Sequence, residues 1–221
     1  MYIIMMAGGL GSRFWPISRR AFPKHILKII SNKSMIRLTY NRVKSLTTPD
    51  KIFVITNIDQ KSQIEKQLPE ISKQNIISEP FGRNTGPCIG LAGAIIQSRG
   101  DNKEVMVVLP SDHLISNNEN FQKTILAGVE FAKENKSMIT IGIKPTYPEV
   151  GYGYIQLDSI KYEKDDIKIY EVKTFAEKPN LETAKRFLKS GDFLWNSGMF
   201  IWSVDVIMDE IDENLPELYE D

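Results

Sequence analysis

The chain has 221 residues, 28 Lys+Arg against 28 Asp+Glu, 42% hydrophobic residues and a single cysteine. That composition excludes a disordered chain, a disulfide framework and a cysteine-based zinc site, and it suits one large α/β domain or two small ones. No apolar run reaches the about 20 residues needed to span a bilayer, and no basic segment precedes the apolar start as in a signal peptide.

Taken in chain order, short runs rich in Ile and Val alternate with helical patterns. The expected strands are Tyr2–Met6, Lys51–Thr56, Asn75–Ser78, Glu104–Leu109 and Met138–Ile143. Ile52-Phe53-Val54-Ile55 and Val105-Met106-Val107-Val108-Leu109 are apolar on both faces, as in the middle of a parallel sheet. Helices are expected over Ser34–Ser45, Gln60–Gln67, Thr85–Ser98 and Asn120–Glu134, so βαβ units form a doubly wound sheet. After about residue 145 the pattern changes. Tyr152–Leu157 and Ile169–Phe175 read as antiparallel strands about a polar Lys164-Asp165-Asp166 turn. A helix over Leu181–Lys189, an aromatic strand Gly198–Trp202 and an amphipathic acidic helix from Val204 to Leu215 complete the chain. Residues 1–145 are expected to form one part and residues 146–221 a smaller antiparallel part, together one domain.

The net charge of zero hides an asymmetry. Residues 1–50 carry Arg13, Arg19, Arg20, Lys24, Lys28, Lys33, Arg37, Arg42 and Lys44, with Asp50 the sole acid. Residues 201–221 hold acids and no base. The N-terminal region therefore reads as an anion-handling segment. It contains Ala7-Gly8-Gly9-Leu10-Gly11-Ser12-Arg13 directly after the first strand. Glycines there bring backbone N–H groups close to phosphate. The spacing fails the dinucleotide fingerprint, because Phe14 stands at the third glycine, and it fails the P-loop. Arg13 and the later Lys24 offer a bidentate fork and a movable point charge for phosphate oxygens, whereas Arg19 and Arg20 read as solvated.

Other motifs fall where strands end. Glu79-Pro80-Phe81-Gly82-Arg83-Asn84-Thr85 joins a strand to a helix that Asn84 or Thr85 would cap. Leu109-Pro110-Ser111-Asp112-His113 ends the most apolar strand, where a carboxylate can hold Mg²⁺ or simply form a turn. Gly151, within Glu149-Val150-Gly151-Tyr152-Gly153-Tyr154, would let a backbone N–H approach a ligand. His25 and His113 read as structural, and Trp195, Phe200 and Trp202 as core.

The run from Ala7 to Pro16, continued by Phe22-Pro23-Lys24, resembles the signature of the sugar-1-phosphate nucleotidylyltransferases. Its Phe14-Trp15-Pro16-Ile17-Ser18 form resembles the branch of that family acting on GTP and mannose 1-phosphate. The resemblance implies a Rossmann-like mixed sheet of the nucleotide-diphospho-sugar transferase type. It also implies guanylyl transfer to α-D-mannose 1-phosphate, giving GDP-mannose and pyrophosphate with Mg²⁺ in the cytoplasm, with no nucleic acid or membrane partner and a homodimer left open. It implies catalytic roles for Arg13, Lys24, Asp112 and Lys178, with Asp112 as the metal ligand. Nucleotide contacts fall to Ala7, Gly8, Gly9, Gly11, Ser12, Arg13, Glu79, Asn84, Thr85 and Ser111. Sugar-phosphate contacts fall to Gly151, Glu177, Lys178 and Asn196. Glu79 stands where relatives using uridine or thymidine nucleotides carry a glutamine. A carboxylate has only acceptors, which match the two adjacent donors of guanine and repel uracil. Members of the family continue well beyond residue 221, so the chain reads as a core lacking its last part. The same chemistry with another nucleotide or hexose phosphate, a nucleotide-sugar binder without turnover, and a dinucleotide-dependent oxidoreductase are the alternatives.

Overall fold

The computed structural model describes all residues except Leu10, Ser12, Arg13, Arg20, Ala21, residues 80–84, Asp165 and Asp221, and the side chains of Tyr219 and Glu220. It divides into two compact units, Met1–Met138 with Ile201–Asp221, and Ile139–Phe200. The segment from Ile201 onward therefore returns to the first unit rather than joining the smaller antiparallel part expected from the sequence.

In the first unit, strands β1 (Tyr2–Ala7), β2 (Ile52–Asn57), β3 (Ile76–Glu79) and β4 (Val105–Pro110) lie in the order β3-β2-β1-β4. All three pairings are parallel, with Ile3 opposite both Ile52 and Val107. The side chains of Ile3, Ile4, Phe53, Val54 and Val107 are fully buried, as apolar runs on both faces require. Because β1 has β2 on one side and β4 on the other, a crevice opens at their carboxyl ends, the usual ligand position in such sheets.

Helices α1 (Met35–Val43), α2 (Lys61–Gln67), α3 (Thr85–Ser98) and α4 (Asn118–Asn135) connect these strands. Ser34 caps α1 by accepting from the Arg37 N–H, and Asn117 caps α4 by accepting from the Asn120 N–H. In the second unit, strands β5 (Ile139–Ile143), β6 (Gly153–Lys164) and β7 (Ile167–Glu177) are followed by helix α5 (Leu181–Ser190) and by most of β8 (Phe193–Ser203). Strands β6 and β7 pair antiparallel, and β6 pairs β8 with Tyr154 opposite Trp195. Tyr154, Ala184, Phe193 and Trp195 form its core, with Phe187 stacked on Phe193 at 3.9 Å. The outer half of the β6–β7 hairpin is polar and carries cross-strand ion pairs, Lys161–Glu171 and Lys168–Glu163, both at 2.8 Å. Strand β8 starts at Phe193, ahead of the expected Gly198. Gly198 adopts φ +70° and the Asn196 and Ser197 side chains bond neighbouring backbone, which lets the strand continue through a turn-like sequence.

Back in the first unit, helix α6 (Val204–Asn214) buries Val204, Ile207, Met208 and Ile211 and packs on α3. A Cβ at Gly93 of α3 would lie 2.5 Å from Met208 Sδ, so glycine sets that close approach. This apolar stripe is what returns the chain to the first unit. A short α7 (Pro216–Glu220) follows.

Candidate active site

The glycine-rich turn follows β1 because that strand ends against the crevice. A cavity of about 490 Å³ opens there, lined by Met6, Ala7, Gly8, Gly9 and Gly11 from this turn. Lys24 and His25 from a short 3₁₀ turn, Glu79 at the end of β3, Thr85 and Cys88 from α3, and Pro110 and Asp112 after β4 complete it. Its size is that of a small-molecule site.

The glycines of this turn serve different ends. Gly11 has φ +64°, and a Cβ there would lie 2.8 Å from Lys24 Cβ and 2.7 Å from Ser18 Oγ. Lys24 can thus enter the cavity only because position 11 is glycine. A Cβ at Gly8 would sit 3.1 Å from Glu79 Oε2, so the carboxylate lies against bare backbone. Among the described residues nothing lies within 4 Å of a Cβ position at Gly9, which lines the cavity with bare backbone.

Glu79 is 7% exposed, and its Oε1 is buried without a hydrogen-bond partner among the described residues. Burial pushes its carboxyl pKa up. Burial, assisted by the charge of Glu79, also pushes the Cys88 thiol up to about 12. A buried acceptor with nothing to accept from is costly and signals a ligand that donates.

Lys24 and Asp112 meet in this cavity, with Nζ 3.2 Å from Oδ2. Lys24 Nζ also stands 4.6 Å from the centre of the Phe14 ring. His25 is 3% exposed, and burial lowers its pKa to about 4 against the opposing pull of Asp112. His113 is likewise lowered, chiefly by burial, with Nε2 4.0 Å from Asp112 Oδ1. Both imidazoles are thereby kept neutral at pH 7.

Of the residues expected from the sequence, the nucleotide contacts Ala7, Gly8, Gly9, Gly11, Glu79 and Thr85 and the catalytic Lys24 and Asp112 line one cavity. Ser111 does not line it; its N–H donates to the Met6 carbonyl and its buried Oγ has no partner among the described residues. Ser12, Arg13 and Asn84 lie outside the described residues. The cavity also takes in Cys88 and His25, which the motifs do not single out for it. Cys88 falls one helical turn after Thr85, a signal the spacing does carry, and His25 adjoins Lys24.

The second unit gathers the remaining residues. Lys178 Nζ lies 2.8 Å from Glu177 Oε1. Lys178 has φ +44°, rare for a residue with a side chain, and its N–H donates to the Tyr152 carbonyl at 3.2 Å. A Cβ at Gly153 would lie 2.7 Å from Glu177 Oε2, so glycine makes room for that carboxylate. Asn196 Oδ1 accepts from Thr140 Oγ1 and from the Gly198 N–H, which leaves its amide N–H₂ group as the side chain's remaining polar end. The Gly151 N–H donates to Glu149 Oε1 at 2.7 Å.

The family model described as nucleotidyl transferase matches residues 2–220. The chain belongs to the nucleotidyl transferase family. Among its relatives, an Escherichia coli protein named mannose-1-phosphate guanylyltransferase is 39% identical over 218 residues, covering 97% of this chain and 47% of the relative. A Salmonella montevideo protein of the same name is 41% identical over 220 residues, covering 98% and 45%. The chain thus spans about half the length of these relatives. A solved structure from Thermus thermophilus, named mannose-1-phosphate geranyltransferase, matches with a TM-score of 0.88 and 29% identity, covering 99% of this chain and 62% of that one. Among the described residues no helix is long and apolar enough to cross a membrane.

Proposed function

We propose that this chain transfers a guanylyl group from GTP to α-D-mannose 1-phosphate, giving GDP-mannose and pyrophosphate, in the cytoplasm. The observation that carries the proposal is the buried Glu79 oxygen, without a partner among the described residues, in a cavity it shares with glycine backbone, Lys24 and Asp112. Guanine offers two adjacent donors to such an acceptor, and uracil or thymine cannot. The names of the relatives from Escherichia coli and Salmonella montevideo support mannose 1-phosphate as the acceptor substrate.

In this reading an oxygen of the sugar phosphate forms a bond to the α-phosphorus while the α–β bridging P–O bond breaks in line. Pyrophosphate leaves with the bonding electron pair. The nucleophile is already an anion and needs no base, in keeping with His25 and His113 being held neutral by burial. Catalysis rests on positioning and charge neutralisation. Arg13 stabilises the charge at phosphorus. Lys24 leaves Asp112 to hold the departing pyrophosphate, and Lys178 holds the sugar's phosphate while Glu177 and Asn196 engage its hydroxyls. Backbone from Ala7 to Gly11, with Ser12, Asn84 and Thr85, frames the nucleotide, and Ser111 acts only through its bond to the Met6 carbonyl. Residues 1–145 serve the nucleotide and residues 146–200 the sugar phosphate.

Proteins of this family generally use a divalent metal, and Mg²⁺ is the ion proposed. Among the described residues no group of three or more His, Cys, Asp or Glu is arranged to hold one. Asp112 nevertheless fits, because its carboxylate already attracts a cation, the Lys24 ammonium. Mg²⁺ commonly takes one or two carboxylates and completes its shell with phosphate oxygens and water. Held there, the ion would supply neutralisation of phosphate charge.

The test is pyrophosphate release from each of the four common nucleoside triphosphates with mannose or glucose 1-phosphate. GTP with mannose 1-phosphate is expected to be fastest. UTP or dTTP ahead of GTP would overturn the role of Glu79, and glucose 1-phosphate ahead would overturn the sugar assignment.

A further inference from the structure

Glu149 is held more firmly than a half-exposed glutamate needs to be. Its N–H donates to the Tyr147 carbonyl at 3.0 Å, and its own carbonyl accepts from the buried Tyr154 hydroxyl at 2.8 Å. Its carboxylate Oε1 accepts from the Gly151 N–H at 2.7 Å. Fixing a glutamate side chain costs about 1.5–2 kcal/mol of rotamer freedom. A hydrogen bond from the Gly151 N–H to a charged acceptor, worth about 1.5–3 kcal/mol, is enough to offset that, so the carboxylate is held in one place before any ligand arrives.

The surroundings are those of a sugar site. The rings of Tyr147 and Tyr152 stand edge-on to Trp195, at 5.0 and 5.4 Å between centres, and both remain exposed at 48% and 40%. The Tyr147 hydroxyl pKa is pushed up by burial first and then by its neighbours Tyr152 and Glu149, which places phenol and carboxylate in one polar cluster. The Tyr152 carbonyl accepts from the Lys178 N–H, so the turn that Glu149 fixes is bonded directly to the residue proposed to hold the sugar's phosphate. A carboxylate offers about four acceptor sites, and the Gly151 N–H and the Tyr147 hydroxyl take two.

We propose that Glu149 is a specificity-determining residue for the hexose, its carboxylate accepting a hydrogen bond from a ring hydroxyl of the sugar whose phosphate Lys178 holds. This rests on the sugar-phosphate reading above. It also changes the part played by Gly151, whose N–H positions the reading carboxylate instead of meeting the sugar itself.

The experiment is calorimetric titration of the full chain and its Glu149→Gln variant with mannose 1-phosphate and each of its monodeoxy analogues, with GTP titrated in parallel. Glutamine keeps an oxygen for Gly151 and removes only the charge, so the fold and GTP affinity are expected to be kept, with the melting temperature lower by no more than about 2–4 °C. Mannose 1-phosphate affinity is expected to fall about tenfold, the difference between a charge-assisted and a neutral hydrogen bond. One deoxy analogue, lacking the hydroxyl that is read, should bind both proteins equally. Equal affinity of both proteins for mannose 1-phosphate overturns the proposal, and so does the same loss with every analogue, which marks a purely structural role. No hexose 1-phosphate binding by the unsubstituted chain overturns the underlying sugar-phosphate reading as well, while a failure confined to Glu149→Gln leaves that reading intact.

Discussion

Replacing Glu79 with glutamine separates what the carboxylate does for the fold from what it does for a nucleotide. Glu79 is nearly buried, its Oε1 has no partner among the described residues, and burial raises its pKa. A carboxyl raised in the fold binds its proton more tightly there than in the unfolded chain. The stability it contributes is therefore full below the ordinary value of 4.5 and is lost as pH rises through the raised folded value. Glutamine has no such loss, so Glu79→Gln is expected to melt higher than the parent at neutral pH and to show a smaller difference near pH 4. With GTP the sign reverses. Exchanging an ionised acceptor for an amide removes a charge-assisted hydrogen bond of about 1.5–3 kcal/mol and turns an N–H₂ group toward guanine's donors. GTP affinity should fall by about ten- to a hundredfold, and UTP, whose edge pairs with an amide, should gain. Calorimetry with both nucleotides and melting curves across the acid range measure the two effects. GTP affinity within about twofold of the parent would refute the reasoning, whatever the melting temperature did. Because guanine binding favours the ionised form, GTP affinity should weaken as pH falls through the raised Glu79 pKa, a dependence that disappears in Glu79→Gln.

Other consequences can be checked separately. Lys24→Ala and Arg13→Ala are each expected to lower turnover by about 10²–10³, the usual loss for an electrostatic stabiliser; near-normal rates in both would remove them from the mechanism. Gly11→Ala forces φ +64° on a residue with a Cβ that meets Lys24 Cβ at 2.8 Å. It should cost about 1–3 kcal/mol in denaturant unfolding and weaken pyrophosphate binding. His25, lowered from 6.5 to about 4, stays neutral in the fold where the unfolded chain would be charged. Stability should fall as pH drops from 6.5 towards 4, by up to about 3 kcal/mol, and His25→Gln should flatten that slope in acid melting curves.

Much of this was legible in the sequence because apolar periodicity and the position of ligands at strand ends are local properties. Strands β1 to β4 start and end within a residue of expectation, since runs such as Val105–Leu109 leave no alternative to a doubly buried strand. Glu79 and Asp112 fall at the ends of β3 and β4, so the sheet alone brings them to one crevice. What stayed hidden depends on partners far along the chain. The Lys24–Asp112 pair forms only once β1 and β4 are neighbours. The return of α6 to the first unit depends on the fit of Met208 to Gly93. The early start of β8 was masked by Asn196-Ser197-Gly198, a sequence that reads as a turn until Ser197 bonds the Ile141 carbonyl and Asn196 the Gly198 N–H.

The left-handed backbone of Lys178 has a consequence for how such a chain would respond to selection. A side-chain-bearing residue at φ +44° is less comfortable than glycine, by about 1 kcal/mol or more, and glycine at that position would relieve it. A library screened for heat resistance alone should therefore drift towards glycine or asparagine at 178. A library screened for product should hold lysine against that pull, and the two outcomes together would measure what the ammonium is worth to the organism.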